Sequence, residues 1–427
     1  MTTLTERIKP VKSKASFKQP SYFYKAYKIF LCFLSVNIFI AASLAIVTQQ
    51  FLTKLFLFKF VNLQQTLLND SKKKFIILLI TIFKINTPKS KIRISIPKAI
   101  NQKYGVIKND GRTVDLSTVV IASTNFTDES VVIANHQIYT DWVYLWWLAY
   151  TSNLAGNVYI LLKKSLESIP ILGYGMKNYQ FIFLSRKWEK DQVNLRNSIN
   201  DINLNSRGIG RASGRVPIGT AGNGEYIWPE HLDLSFNSHK SKTWPYQLIL
   251  FPEGTNLSAN TKNKSIEYAK KIDKAPFQNV LLPHVTGIYE ILKNLTSCKT
   301  LYDLTIGYSG VEQHEFAQDI YTLKKVFLEG ASPEIVDIHL TAIDRTDIPL
   351  ENIDSFSDWL FGRWKLKDDL MNEYYLQGSD FKTEDTAHEY STYIFDCGCN
   401  FSEYLSILLG PFFTFVLLLR YVIKWIF

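Results

Sequence analysis

The chain is poor in cysteine: its 427 residues contain four, Cys32, Cys298, Cys397 and Cys399. These are too few and too scattered to form a disulfide framework. The Cys397-Gly398-Cys399 stretch lacks the accompanying ligands that a redox or metal pair needs, so we expect no metal site.

The sequence also lacks zinc-finger spacing, an RNP-like run and any extended basic stripe beyond the N-terminus. Its formal net charge is nevertheless +9, and it contains 28 Phe and 23 Tyr. A basic, aromatic protein can bind nucleic acid or a membrane face. Without nucleic-acid motifs, the composition favours a lipid bilayer as partner and no nucleic acid.

Charge is absent from Ile29 to Thr53, which follow a basic tail over residues 1–28. This stretch is long enough to cross a bilayer, which takes about 20 residues. It lacks a convincing cleavage site, so we predict an uncleaved anchor rather than a signal peptide. The run Phe75 to Phe83 is too short to cross as a helix. Three alternatives remain for this run: it completes a re-entrant hairpin, it lies in the membrane interface, or it is a buried core segment. We assign residues 29–83 as a whole to the membrane anchor.

The C-terminus is apolar again from Leu405 to Leu419, interrupted by Gly410-Pro411 and followed by Arg420 and Lys424. Such a pattern predicts a membrane-embedded or interfacial tail over residues 405–427. The basic N-terminal tail favours a cytosolic N-terminus. One crossing would then place the active site in the lumen, whereas a hairpin or two crossings would return it to the cytosol.

The region between the anchors has an α/β pattern. Helical stretches, including 192–202 and 289–295, alternate with short apolar runs at 158–162, 181–184, 248–251, 280–282, 304–306 and 335–343. This alternation predicts a mostly parallel sheet covered by helices. The glycine-rich residues 203–246 lack the preceding strand and the Gly-Lys-Ser/Thr of a nucleotide loop, so we expect a flexible surface insertion there.

Two motifs carry chemistry. In the first, His136 precedes Asp141 at a strand-to-helix turn, a spacing that supplies a general base and its orienting carboxylate. The same spacing recurs at His339 and Asp344, but that stretch has the alternation of a strand, where the two side chains point to opposite faces. We therefore expect only the first pair to cooperate.

The second motif, Phe251 to Thr255 (FPEGT), places a carboxylate in a tight glycine-containing turn suited to a hydroxylated substrate. It leaves the end of a predicted strand, where α/β sheets usually bind ligands. Leu282-Pro283-His284 leaves another.

The order of these blocks resembles the 1-acylglycerol-3-phosphate acyltransferase family, the PlsC-like lysophospholipid acyltransferases, and most of all its lysocardiolipin acyltransferase branch. The resemblance covers roughly Val131 to Tyr375. It implies a glycerolipid acyltransferase fold over residues 84–345. A C-terminal extension follows over residues 346–400, because Trp359 to Tyr375 is similar to that of the branch.

The resemblance also implies roles for individual residues. Glu253 and Gly254 would contact the glycerol of the acceptor, with Thr255 nearby, and Pro283 would shape the acyl or CoA side. Many relatives that form phosphatidate carry an arginine after FPEGT, whereas this chain has Asn256.

That departure leaves Arg186 as the predicted phosphate-binding residue, because a guanidinium fork suits a phosphate ester. It also argues against a simple transfer of lysophosphatidic acid specificity to this chain.

The expected reaction is acyl transfer from acyl-CoA, a co-substrate, to a free glycerol hydroxyl of an anionic lysophospholipid, with no cofactor. It would serve phospholipid synthesis or acyl-chain remodelling, with lysophosphatidylinositol slightly favoured over lysophosphatidic acid. No Ser or Cys lies in a nucleophile elbow, so we expect no acyl-enzyme. The alternatives are a CoA-independent phospholipid transacylase and a catalytically silent membrane scaffold. The resemblance and the anchor predict the endoplasmic reticulum membrane, or else a mitochondrial membrane, with a cytosolic active site.

Overall fold

A computed structural model describes residues 21–107, 123–229, 242–378, 381 and 390–409. Most of the predicted basic tail and most of the predicted C-terminal tail, residues 410–427, lie outside the described residues. The helices are α1 (Tyr22–Phe56), α2 (Val61–Asn86), α3 (Lys98–Tyr104), α4 (Asp141–Thr151), α5 (Leu172–Asn178), α6 (Trp188–Ser206), α7 (Ala259–Lys271), α8 (Val285–Asn294), α9 (Ala317–Ile320) and α10 (Ile353–Leu376).

Helices α1 and α2 form a hairpin with contrasting surfaces. Helix α1 leaves large side chains such as Phe30 and Phe33 exposed, and it is the one described helix that is long and apolar enough to cross a membrane. Helix α2 contains the 75–83 run, and Ile76, Leu78 and Ile80 in it are fully buried. Of the alternatives for that run, the structure supports the buried core segment.

Eight strands in the described part of the chain form one sheet in the order β10-β1-β9-β8-β2-β7-β3-β4. Five of its seven neighbouring pairs are parallel, whereas β8–β9 and β1–β10 are antiparallel. The strands are β1 (Lys91–Pro97), β2 (Glu129–Ala134), β3 (Val158–Lys163), β4 (Ile182–Leu184), β7 (Tyr246–Leu250), β8 (Thr300–Tyr308), β9 (Ile335–Asp344) and β10 (Tyr390–Asp396), while β5 (Gly219–Thr220) and β6 (Tyr226–Ile227) pair separately.

Helices cover both faces of this sheet. Alternate residues of β2 belong to different cores: Val132 and Ala134 pack with α2 and α4, and Val131 and Ile133 pack with α6, α8 and α10. Because side chains of a strand alternate between faces, these are opposite sides of the sheet. The predicted mostly parallel, helix-covered α/β fold is confirmed.

Residues 280–282 are not the strand that their apolar sequence predicts. They form a buried loop between α7 and α8, and the Leu282 N–H donates to Ser265 Oγ at 2.9 Å. Just before them, the Asn279 N–H donates to Asp368 Oδ1 on α10 at 2.6 Å. Side chains of neighbouring helices thus bind the amides that a strand would commit to a ladder, and burial alone accounts for the apolar run.

The region set apart as an insertion, residues 203–246, begins inside α6. Asn205 Oδ1 accepts the Ala212 N–H at 2.9 Å, and Ile209 is buried. Residues 230–241 lie outside the described part. On the same face of the sheet as α6, helix α10 packs against β8, and Tyr374 Oη donates to Asp337 on β9 at 2.9 Å.

Candidate active site

The turn between β2 and α4 joins His136 to Asp141, as predicted. The strand ends at Ala134 and the helix begins at Asp141, so the intervening backbone curls back on itself. The His136 Nδ1 and Asp141 Oδ2 atoms lie 2.8 Å apart. The same oxygen accepts the N–H groups of Gln137 and Ile138 at 2.6 and 3.1 Å, which fixes the carboxylate within the turn.

The other oxygen of Asp141 is bound from across the sheet. Tyr308, the last residue of β8, donates its hydroxyl to Asp141 Oδ1. Burial and the neighbouring Asp141 charge raise the pKa of Tyr308 well above its usual value, so the hydroxyl stays protonated and remains a donor. With both carboxylate oxygens occupied by donors, Asp141 holds the Nδ1 proton of His136. The Nε2 lone pair is then available as a base.

The loop after β7 frames the histidine. The rings of His136 and Phe251 stack with centroids 4.4 Å apart and an interplanar angle of 27°. The Leu257 N–H donates to the His136 carbonyl at 2.7 Å, and the His136 N–H donates to Glu253 Oε2 at 3.3 Å. The His136 side chain stays 18% exposed, while that of Asp141 is fully buried. The imidazole ring can thus meet a ligand, whereas the carboxylate cannot.

His136 opens onto a cavity of about 660 Å³, a size typical of small-ligand sites. Its walls come from the carboxyl ends of β3, β4 and β7, beside the end of β2, where parallel strands bring their termini to one edge. The apolar wall includes Leu161, Leu184, Leu250 and Ile288, and the polar lining includes His136, Lys163, Arg186, Thr255 and His284.

Glu253 is largely turned inward. It is 2% exposed, and besides the His136 amide it accepts a hydrogen bond from Trp364 Nε1 on α10 at 3.3 Å. Burial raises its pKa to about 8. The carboxyl group therefore connects the histidine turn, the FPEGT loop and α10.

Gly254 is required by backbone conformation and by space. Its φ of +69° lies in the left-handed region, and an added Cβ would approach His284 Cδ2 to 3.1 Å. The His284 ring therefore lies directly over the FPEGT turn. Burial and the nearby charge of Arg186 lower the pKa of His284.

The structure brings most of the predicted site residues together. His136, Arg186, Glu253, Gly254 and Thr255 all line the cavity. Asp141 lies behind His136. Pro283 is buried immediately before His284 and does not line the cavity wall.

Sequence reasoning missed four residues of the site. Lys163 ends β3 and Tyr308 ends β8, so the strand-end rule that selected FPEGT could have found both. His284 follows the predicted Pro283 directly. Trp364 has no such signal, because its contact with Glu253 joins residues 111 positions apart.

The second His/Asp pair is separated, as predicted. His339 lies within β9, 5% exposed, with its Nε2 atom 3.4 Å from Tyr390 Oη. Asp344 ends the strand and pairs with Lys103 at 2.6 Å.

A family model described as Acyltransferase matches residues 117–309. The chain is 50% identical over 323 residues to the 2-acyl-1-lysophosphatidylinositol acyltransferase of Saccharomyces cerevisiae, an alignment that covers 75% of this chain and 78% of that protein. The chain belongs to the acyltransferase family. An uncharacterized acyltransferase of the same yeast is 38% identical over 348 residues, covering 80% and 79% of the two chains.

A lower similarity connects this acyltransferase to the branch named from its sequence blocks. Lysocardiolipin acyltransferase 1 of Gallus gallus is 28% identical over 268 residues, which cover 62% of this chain and 59% of that protein. The predicted family resemblance and the predicted class of enzyme are thereby confirmed.

Proposed function

We propose that this acyltransferase transfers an acyl group from acyl-CoA to a free glycerol hydroxyl of an anionic lysophospholipid, with lysophosphatidylinositol as the favoured acceptor. The observation that carries the proposal is the coupled His136–Asp141 pair at the wall of a cavity lined by cations. The name of the yeast relative, a lysophosphatidylinositol acyltransferase, supports the choice of headgroup.

The chemistry needs a base and no covalent intermediate. Nε2 of His136 takes the proton of the acceptor hydroxyl as its oxygen attacks the thioester carbonyl. Asp141 stabilises the imidazolium that forms. The carbon–sulfur bond breaks, CoA leaves as the thiolate, and the imidazolium returns the proton to that sulfur. The new ester and free CoA are the products, and the histidine is restored.

The charges around the cavity favour an anionic acceptor. Lys163 and Arg186 line it, and neither forms an ion pair within the described part of the chain. The two acids in the lining, Asp191 and Glu253, are committed to N–H donors of the protein. Arg186 would therefore bind the phosphate, and Glu253, Gly254 and Thr255 would border the glycerol.

Membrane association is part of the same proposal. The exposed apolar surface of α1 supports an anchor that keeps the enzyme at the bilayer where its acceptor resides. We propose the endoplasmic reticulum membrane, with a mitochondrial membrane as the alternative. The active site would face the cytosol, because acyl-CoA is supplied there.

In the deciding experiment, labelled acyl-CoA and a panel of lysophospholipids are added to membranes that contain the chain. We expect transfer that requires acyl-CoA, favours lysophosphatidylinositol and is lost in His136→Ala. His314→Ala, which changes an exposed histidine outside the cavity, is the matched control. Transfer from a phospholipid donor without acyl-CoA would identify a transacylase instead. No transfer from folded, membrane-bound protein would identify a scaffold.

A further inference from the structure

Arg186 has an unusual backbone conformation for a residue with a long side chain. Its φ is +65°, in the left-handed region that residues other than glycine, Asn and Asp seldom adopt. Of the non-glycine residues with positive φ in the described chain, it is the one that lines the cavity. Such conformations persist only where surrounding contacts hold them, and they cluster at ligand-binding sites.

Asp191 supplies those contacts. Its Oδ1 accepts the Ser185 N–H at 2.8 Å, and its Oδ2 accepts the Lys187 N–H at 3.2 Å. The two amides flank Arg186 on either side, so one carboxylate holds both ends of the strained residue. Asp191 belongs to the first turn of α6 and is 9% exposed, which anchors this clamp to the sheet-covering helix.

The clamp leaves the Arg186 guanidinium free for a ligand. Both Asp191 oxygens are bound to main-chain amides, and no ion pair joins Asp191 to Arg186 among the described residues. The guanidinium instead reaches the cavity, where its charge acts on His284. Capping of α6 accounts for the bond to the amide of Lys187, the residue before the helix, but not for the bond to Ser185 on the other side of Arg186.

We propose that Asp191 is a positioning residue for acceptor binding: by binding the amides on both sides of Arg186, it holds that residue in the left-handed conformation that presents the guanidinium to the acceptor phosphate. The inference rests on the proposed function, since it takes a phosphate ester as the ligand of Arg186. It adds a residue that acts through Arg186 and sets affinity for one of the two substrates.

A double-mutant cycle in acceptor affinity tests this role. The variants are Arg186→Ala, Asp191→Ala and the pair together, with KM measured separately for lysophosphatidylinositol and for acyl-CoA. Loss of a charge-assisted contact to phosphate raises the acceptor KM about tenfold or more in Arg186→Ala. Asp191→Ala keeps the guanidinium and raises the same KM about fivefold, because the strained conformation is no longer held. The KM for acyl-CoA stays unchanged in both.

The acceptor KM of the double variant decides whether Asp191 acts through Arg186. If Asp191 acts through Arg186, removing it has no further effect once the guanidinium is gone, and the double variant matches Arg186→Ala. Full multiplication of the two effects, or an equal rise in both KM values, would overturn the proposal. Asp191→Asn keeps one acceptor oxygen, so its acceptor KM falls between those of the wild type and Asp191→Ala.

A control on the same helix separates positioning from a general loosening of α6. Asp201 also lies on α6, where it binds Arg211 Nε at 3.0 Å, and it does not line the cavity. Asp201→Ala should lower the melting temperature and leave the acceptor KM unchanged. A rise in the acceptor KM equal to that of Asp191→Ala would overturn the assignment.

A binding measurement keeps this inference distinct from the proposed function. Labelled lysophosphatidylinositol is titrated into nanodiscs that hold the chain with His136→Ala, alone and combined with Asp191→Ala or Arg186→Ala. Weaker binding in both combinations supports the clamp even if no acyl transfer is found. Unchanged binding on loss of Asp191 overturns the clamp and leaves the transfer reaction standing.

Discussion

His136 and His339 each precede an aspartate by five positions, and the structure places the two pairs in opposite environments. His136 contacts Asp141 at 2.8 Å and keeps its side chain 18% exposed at the cavity. His339 is 5% exposed inside the fold, and Asp344 binds Lys103 instead. The same spacing in sequence therefore gives a histidine coupled to its aspartate in one place and a separated, buried ring in the other.

Backbone conformation makes the difference. Between His136 and Asp141 the chain leaves β2, turns and enters α4, so that a carboxylate can fold back onto the ring and onto two amides. Between His339 and Asp344 the chain stays extended along β9. Residues five apart on a strand project from opposite faces and cannot meet. A short catalytic spacing is informative only when the intervening backbone curls.

Replacing each histidine gives the largest expected contrast. His136→Ala removes the base and should lower turnover by about 10²- to 10⁴-fold. His339→Phe keeps the ring volume beside Phe381 and Tyr390 and should leave turnover unchanged. The measurement is kcat with acyl-CoA and lysophosphatidylinositol. Full activity in folded His136→Ala would refute the proposed chemistry.

The aspartates provide a second, smaller contrast. In Asp141→Asn the amide can donate to Nδ1, which puts the proton on Nε2 and removes the base, so kcat should fall by about 10²- to 10³-fold. Asp344→Asn disturbs an exposed ion pair, which solvent screens, and should leave kcat unchanged. Equal losses in the two variants would mean that Asp141 acts through the fold rather than through His136.

The sequence predicts the parts of the fold and of the site that depend on local contacts, and it does not predict those that depend on distant contacts. Short-range patterns predicted the helix-covered sheet, the strand-to-helix turn at His136 and the FPEGT turn. They misassigned residues 280–282, because an apolar run reports burial, and the bond to Ser265 that replaces a ladder is set by packing.

The supports of the site depend on contacts across the fold. Tyr308 meets Asp141 across 167 positions, and Trp364 meets Glu253 across 111. No local periodicity reports such pairs. The contacts of Asp191 around Arg186 span only a few residues. The left-handed conformation of Arg186, however, cannot be read from the sequence and is seen only in the structure.

The buried environment of His339 predicts a pH effect on stability. Burial lowers the pKa of His339 to about 4, and the charges of Lys367 and Arg363 act in the same direction against that of Asp303. As the pH falls below about 6.5, the unfolded chain gains a proton that the folded chain refuses until about pH 4. Stability is therefore lost on acidification over this range.

His339→Phe should remove that share of the loss, about 2 kcal/mol at pH 5. The measurement is the free energy of unfolding of the detergent-solubilised chain at pH 7.5 and pH 5, compared between wild type and variant. An identical pH dependence in the two proteins would show that His339 takes up its proton equally in the folded and the unfolded chain, and would contradict this prediction.

The smallest effect concerns the group that holds Asp141 from behind. Tyr308→Phe removes the hydroxyl that donates to Asp141 Oδ1 and leaves a buried carboxylate oxygen without that partner, a cost of about 1–3 kcal/mol. Because the carboxylate is then held less firmly against His136, kcat should also fall about tenfold. The KM values should stay unchanged. Tyr302→Phe is the matched control, since this buried tyrosine of the same strand accepts the Thr127 N–H at 3.0 Å and does not touch Asp141. If both variants lose stability and neither loses kcat, the two amides of the turn suffice to hold Asp141, and the coupling of the first pair is entirely local.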